Sequence, residues 1–107
     1  MKIFLDDMKD PAWYGINADD VKVFRTGEEA AEFILDTKSI IDILYLDHDL
    51  GMGMDGYDFL VGLLEHDKAI VKKVIIISLN PAGVNRMAVA CNANHIPYER
   101  WGLGRIL

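Results

Sequence analysis

The chain is poor in the residues that staple, bridge or anchor a protein. Cys91 is its sole cysteine, so no disulfide can form within the chain, which fits a reducing compartment. No Cys-x-x-Cys or His-x-x-x-His spacing occurs, so the ligand pattern of a zinc site is missing. No apolar run approaches the roughly 18 residues of a membrane span. The opening Met1-Lys2-Ile3-Phe4-Leu5 meets acid at once, so no secretory leader is expected. No Gly-Lys-Ser/Thr follows the glycines at 51, 53 and 56, and no Gly-x-Ser-x-Gly surrounds a serine. Nucleotide-triphosphate loops and that class of hydrolase are therefore not indicated. Positive charge is also scarce: 11 Lys and Arg stand against 17 Asp and Glu, a net charge of −6. That balance argues against loose electrostatic binding to nucleic acid or to an anionic membrane. A phosphate ligand would first need a cation, or a local group of Arg and Lys.

What remains is a chain of 107 residues that is 51% hydrophobic, enough for a buried sheet in one domain, residues 1–107. Ile3 to Leu5 reads as a short buried strand. Residues 8–20 contain Pro11, Gly15 and Asn17, lack a helical period and read as a loop carrying Trp13 and Tyr14. Val21 to Phe24 is a second strand. Thr26-Gly27-Glu28-Glu29 is a capping box opening a helix to about Lys38, with Ala31, Ile34 and Leu35 on its inner face. Asp42 to Asp47 is the third strand. Asp55 caps a helix over 56–66 with Phe59, Leu60, Leu63 and Leu64 as its stripe. Val74 to Ser78 is the fourth strand. Asn80-Pro81 starts a helix that buries Val84, Met87, Ala88 and Cys91. Ile96 to Trp101 is a fifth short strand, and 102–107 a C-terminal tail. Apolar strands alternating with helices predict an α/β fold: a parallel sheet of about five strands with helices on both faces, and a loop where the first crossover helix would be.

Ligands of such sheets bind beyond the carboxyl ends of the strands. Asp6, Asp7, Asp47, His48, Asp49, Ser78 and Asn80 all fall there, scattered in sequence but gathered by the expected fold. Carboxylates on one rim repel, so they need a cation or must hold protons. All-oxygen ligation suits a hard ion, Mg²⁺ or Mn²⁺. Asp7 and Asp47 are the expected direct ligands, with Asp6 and Asp49 beside them. His48 is either a general acid–base or a residue that orients a neighbouring carboxylate. Asn80 and Ser78 lie at a helix start that attracts phosphate. Lys9 and Arg86 are candidate anion partners, with Arg25 and Arg100 behind them. Trp13, Tyr14, Tyr98 and Trp101 either stack on a base or cover core.

Two resemblances follow from these residues. Asp6-Asp7, Asp47, Met54-Asp55-Gly56 and Ser78 resemble the pattern of response-regulator receiver domains, which would hold Mg²⁺ and accept a phosphoryl group on Asp47. The Lys-Pro pair of that family is missing: Ile96-Pro97-Tyr98 stands there, and no lysine follows Lys73. A closer resemblance is to the cyclic-phosphate processing receiver-like family. It is carried by Leu5-Asp6-Asp7 with Lys9 and Pro11, Leu46-Asp47-His48-Asp49-Leu50-Gly51, Gly56-Tyr57-Asp58, and Ser78-x-Asn80-Pro81-x-Gly83 with Met87. Lys9 stands where that family usually has Arg, and Arg86 where Asn commonly precedes the Met. The resemblance implies a receiver-like (flavodoxin-like) domain in the cytoplasm of a bacterium or phage-infected cell. It implies metal-dependent binding or hydrolysis of a cyclic-phosphate nucleotide or RNA end, a possible phosphoesterase. The alternative is a degenerate receiver that works through a protein partner.

Overall fold

Each continuous apolar segment becomes a strand, and the polar residues that follow it stay at the strand's end. The computed structural model describes residues 1–101, and the expected tail at 102–107 lies outside the described residues. Five strands, β1 (Lys2–Leu5), β2 (Lys22–Phe24), β3 (Ile43–Leu46), β4 (Val74–Ile76) and β5 (Tyr98–Arg100), form one sheet in the order β2-β1-β3-β4-β5. All neighbours are parallel. That is the doubly wound order with its switch point between β1 and β3. Leu5 pairs with Leu46, Leu46 with Ile76 and Ile76 with Arg100, so these strands end level with one another.

Helices α1 (Gly27–Thr37), α2 (Gly56–His66) and α3 (Pro81–Ala93) connect β2 to β3, β3 to β4 and β4 to β5. Their starts are sequence-encoded. Asp55 and Asp58 form a reciprocal capping box on α2, and Asn80 accepts from Gly83 N–H with Pro81 in the first turn of α3. On α1 the cap is one-sided: Thr26 accepts from Glu29 N–H, but the Thr26 hydroxyl takes up the Glu29 carboxylate in place of the Thr26 N–H.

All three crossovers step across the sheet in one direction, and right-handed connections then lie on one face. There Ile3, Leu5, Leu44, Leu46, Val74 and Ile76 meet Ile34 of α1, Leu60 of α2 and Met87 of α3 in an aliphatic core. The expected parallel receiver-like sheet is present, with the expected loop in place of the first crossover helix; among the described residues the α-helices lie on one face and not on both. The single return stroke, from β1 to β2, crosses the other face as a loop with two 3-10 turns, Pro11–Tyr14 and Ala18–Asp20. Phe4, fully buried, points to this side and packs against Tyr14 and Tyr45, with ring centroids 5.9 and 6.4 Å away. The helical period also misplaced one residue: Leu35 is 45% exposed, and Ala30 and Ile34 are the fully buried residues of α1. Among the described residues, no helix is long and apolar enough to cross a membrane.

Candidate functional site

Asp6 follows β1 and is the organising residue of the rim. It is 2% exposed, and its Oδ1 accepts from the backbone N–H of Met8 and of Lys9, both at 2.9 Å. Its Oδ2 accepts from the Tyr14 hydroxyl at 3.1 Å. Burial, then the Asp6 charge, push the Tyr14 phenol far above its ordinary pKa, so it stays a donor. Arg25, at the end of β2, closes the loop from outside. Its guanidinium donates to the carbonyls of Asp6 and Lys9 (3.1 and 2.7 Å) and pairs with Asp10. The segment 6–14 is thus held by charge-assisted bonds, although it lacks regular structure apart from one 3-10 turn.

Asp47 follows β3, and its Oδ1 accepts from His48 N–H at 2.8 Å. A Cβ added to Gly56 would lie 2.0 Å from the Asp47 carbonyl oxygen, so only glycine lets the first turn of α2 press against this backbone. One carboxylate oxygen from each of Asp6, Asp7 and Asp47 lies within 4.8 Å of the others. Burial first, and then the charges of Asp6, Asp7 and Asp49, raise the pKa of Asp47 to about 6, against the pull of its bond to His48 N–H. A divalent cation would relieve that crowding. The donors are all oxygen, so the residues fit a hard ion of the Mg²⁺ or Mn²⁺ kind.

These carboxylates line a cavity of about 650 Å³, together with Lys9, Tyr14, Asp49, Ser78 and Asn80. Among the described residues, Lys9 is the one cationic side chain in that lining. Ser78 is buried, and its Oγ accepts from Asn80 N–H at 3.0 Å, which turns the β4–α3 loop toward the cavity. Asn80 uses Oδ1 on Gly83 N–H and aims Nδ2 at both oxygens of Asp49, 3.4 Å away.

Two expected site residues lie elsewhere. His48 is 9% exposed and does not line the cavity. Its Nδ1 lies 3.1 Å from Asp49 Oδ1, and its Nε2 is 3.5 Å from Asp55 Oδ2. The ring sits on α3 so closely that a Cβ at Gly83 would come within 2.3 Å of it. The ring thus lies against Asp49, Asp55 and the first turn of α3. Arg86 is exposed on α3, its guanidinium carbon 4.0 Å from the ring centroid of Tyr57 on α2 and outside the cavity lining. Conversely, Tyr14 belongs to the site, and no spacing in the sequence separated it from Trp13.

The sheet order and the carboxylates at the switch point define a receiver-like domain. The chain is a member of a particular branch: the sequence model of the cyclic-phosphate processing Receiver domain matches residues 1–93, so the chain belongs to that family. Two solved structures are similar in fold. One is a fusion carrying a trimeric coiled-coil segment of yeast Spc42, at 22% identity and TM-score 0.61 over 92% of this chain; the chain spans 65% of that structure's length. The other is the N-terminal domain of a response regulator/sensory box/GGDEF three-domain protein from Carboxydothermus hydrogenoformans. It matches at 22% identity and TM-score 0.59, over 92% of this chain and 78% of that one. Comparison with curated proteins gives no match.

Proposed function

We propose that the rim cavity binds a phosphate ester of the cyclic-phosphate nucleotide or RNA-end class, together with a divalent cation, and hydrolyses it. One observation carries the reading. Oxygens of Asp6, Asp7 and Asp47 converge within 4.8 Å in a cavity that also presents Lys9, Ser78 and Asn80. Membership of the cyclic-phosphate processing Receiver family supports the substrate class. Asp7, Asp47 and Asp6 would hold Mg²⁺ or Mn²⁺, which when bound polarises a phosphoryl oxygen and acidifies water. The chain's own groups do the rest. Lys9 offers a positive charge to the phosphate, as a point charge without the fork of an arginine. Asn80 Nδ2 is a donor beside it. Asp49, with 68% of its side chain exposed, takes the proton of the attacking water while His48 holds its carboxylate in place. The water oxygen bonds to phosphorus as the ester oxygen leaves and is protonated by solvent.

The test is incubation of the full chain with 2′,3′- and 3′,5′-cyclic nucleotides, with and without Mn²⁺. Turnover, or a ligand-dependent rise in melting temperature, is expected; absence of both removes the reading. A second reading, a receiver that acts through a protein partner, is favoured by the likeness to the response-regulator domain. A covalent adduct on Asp47 from acetyl phosphate would favour it.

A further inference from the structure

We propose that the exposed indole of Trp13, flanked by Met8, is the platform on which the base of the phosphate ligand stacks. This rests on the phosphate reading above and names the other half of the molecule it would bind. Trp13 is 67% exposed and Met8 82%, on a segment that buries Pro11 and turns Tyr14 inward onto Phe4 and Asp6. The same short turn therefore sends one aromatic ring to the sheet and the other to solvent. Apolar side chains this exposed gain nothing for the fold by standing there. They also stand on backbone that is fixed in advance. Asp6 fastens Met8 and Lys9, Arg25 fastens Lys9 and Asp10, and Ile16 N–H returns to the Pro11 carbonyl at 3.0 Å. A ring on a rigid loop loses little freedom when it binds.

A second cavity of about 600 Å³ is lined by Met8, Lys9, Asp10, Ala12 and Trp13. Met8 and Lys9 also line the acidic cavity, so the two spaces adjoin across these residues. The Lys9 ammonium is 5.4 Å from the Trp13 ring centroid, at the boundary between the aromatic surface and the carboxylates. A ligand that spans the boundary needs a flat π-system at one end and an anion at the other. A nucleotide has both. Met8, Ala12 and Trp13 make up most of the second cavity's lining and Asp10 is paired with Arg25, so recognition there rests mainly on stacking. Purines are accordingly favoured over pyrimidines by ring area alone, and modestly.

The experiment is calorimetric titration of the full chain, in Mn²⁺, with 2′,3′-cyclic AMP, 2′,3′-cyclic UMP and a base-free ribose 2,3-cyclic phosphate, for wild type, Trp13→Phe and Trp13→Ala. Melting temperatures serve as the folding control, and Mn²⁺ binding is measured separately. Trp13→Ala should keep the affinity for Mn²⁺ and for the base-free ester. It should bind cyclic AMP about 10-fold more weakly, the size of one lost stack, and Trp13→Phe should restore most of that loss. Equal cyclic AMP affinity in wild type and Trp13→Ala overturns the platform and leaves the phosphate reading standing. No binding of Mn²⁺ or of the base-free ester by wild type removes the phosphate reading. Adenosine quenching of indole fluorescence, absent in Trp13→Ala, would then still sustain the platform, and its absence would end it. Trp13-dependent self-association without nucleotide binding would assign the ring to a protein contact and overturn the proposal.

Discussion

The two faces of the sheet are covered in different ways. One carries three helices over an aliphatic core, with Ile34, Leu60 and Met87 each fully buried. The other carries a loop and a few aromatic rings: Phe4, Tyr14, Tyr45 and Trp101. A groove of about 810 Å³ runs along this thinner side, with Tyr14, Tyr45, Ile75 and Trp101 in its walls. Below the rim the helical face serves stability, and its aliphatic core side chains do not line the cavity. The loop covers Phe4 and, through Asp6, Lys9 and Tyr14, also shapes the rim. The contrast teaches that stability and site assembly are separable on one side of this sheet and joined on the other.

The contrast can be broken or sharpened by substitution. Ile34→Ala, on the helical side, removes a fully buried side chain and should cost about 2–5 kcal/mol in urea unfolding, with Mn²⁺ affinity unchanged where the fold persists. Tyr14→Phe, on the loop side, deletes the donor to Asp6 and should cost about 1 kcal/mol. Calorimetry should show weaker Mn²⁺ binding as well, because the freed carboxylate is no longer aimed; unchanged binding would separate the loop from the site. Asp47→Asn has the opposite sign. A carboxyl whose folded pKa is raised to about 6 binds more protons folded than unfolded, so stability falls as pH rises from about 4 through 6. In EDTA at pH 7.5 the variant should therefore melt higher than wild type by an amount on the order of a few degrees, and at pH 4 the difference should vanish. The smallest effect belongs to Leu35→Ala, at 45% exposure. It should cost under about 1 kcal/mol, well below its neighbour Ile34, because little surface changes environment.

Local chemistry carried much of this into the sequence. Asp55 before Gly56 and Asn80 before Pro81 are statements about hydrogen bonds a few residues away, and both caps form as their residues dictate. The gathering of Asp6, Asp7 and Asp47 needed only the strand order, because each directly follows or nearly follows a strand end. What escaped was decided by partners distant in sequence. His48 reads in the sequence as either an acid–base or an orienting residue, and only the fold shows the slot at Gly83 in which its ring faces Asp49 and Asp55 without lining the cavity. Arg86 looks like an anion clamp until α2 places Tyr57 beneath it. Helical period marked Leu35 as inward, but α1 packs along a narrower strip through Ala30 and Ile34. Tyr14 and Trp13 are adjacent and similar in type; only the 3-10 turn sends them to opposite sides.

The seat of His48 against Gly83 has a consequence for descent. A methyl group at position 83 and an imidazole at position 48 cannot occupy that space together. A mutation at either residue therefore changes which mutations the other can accept, and lineages of this domain should exchange the two as a pair.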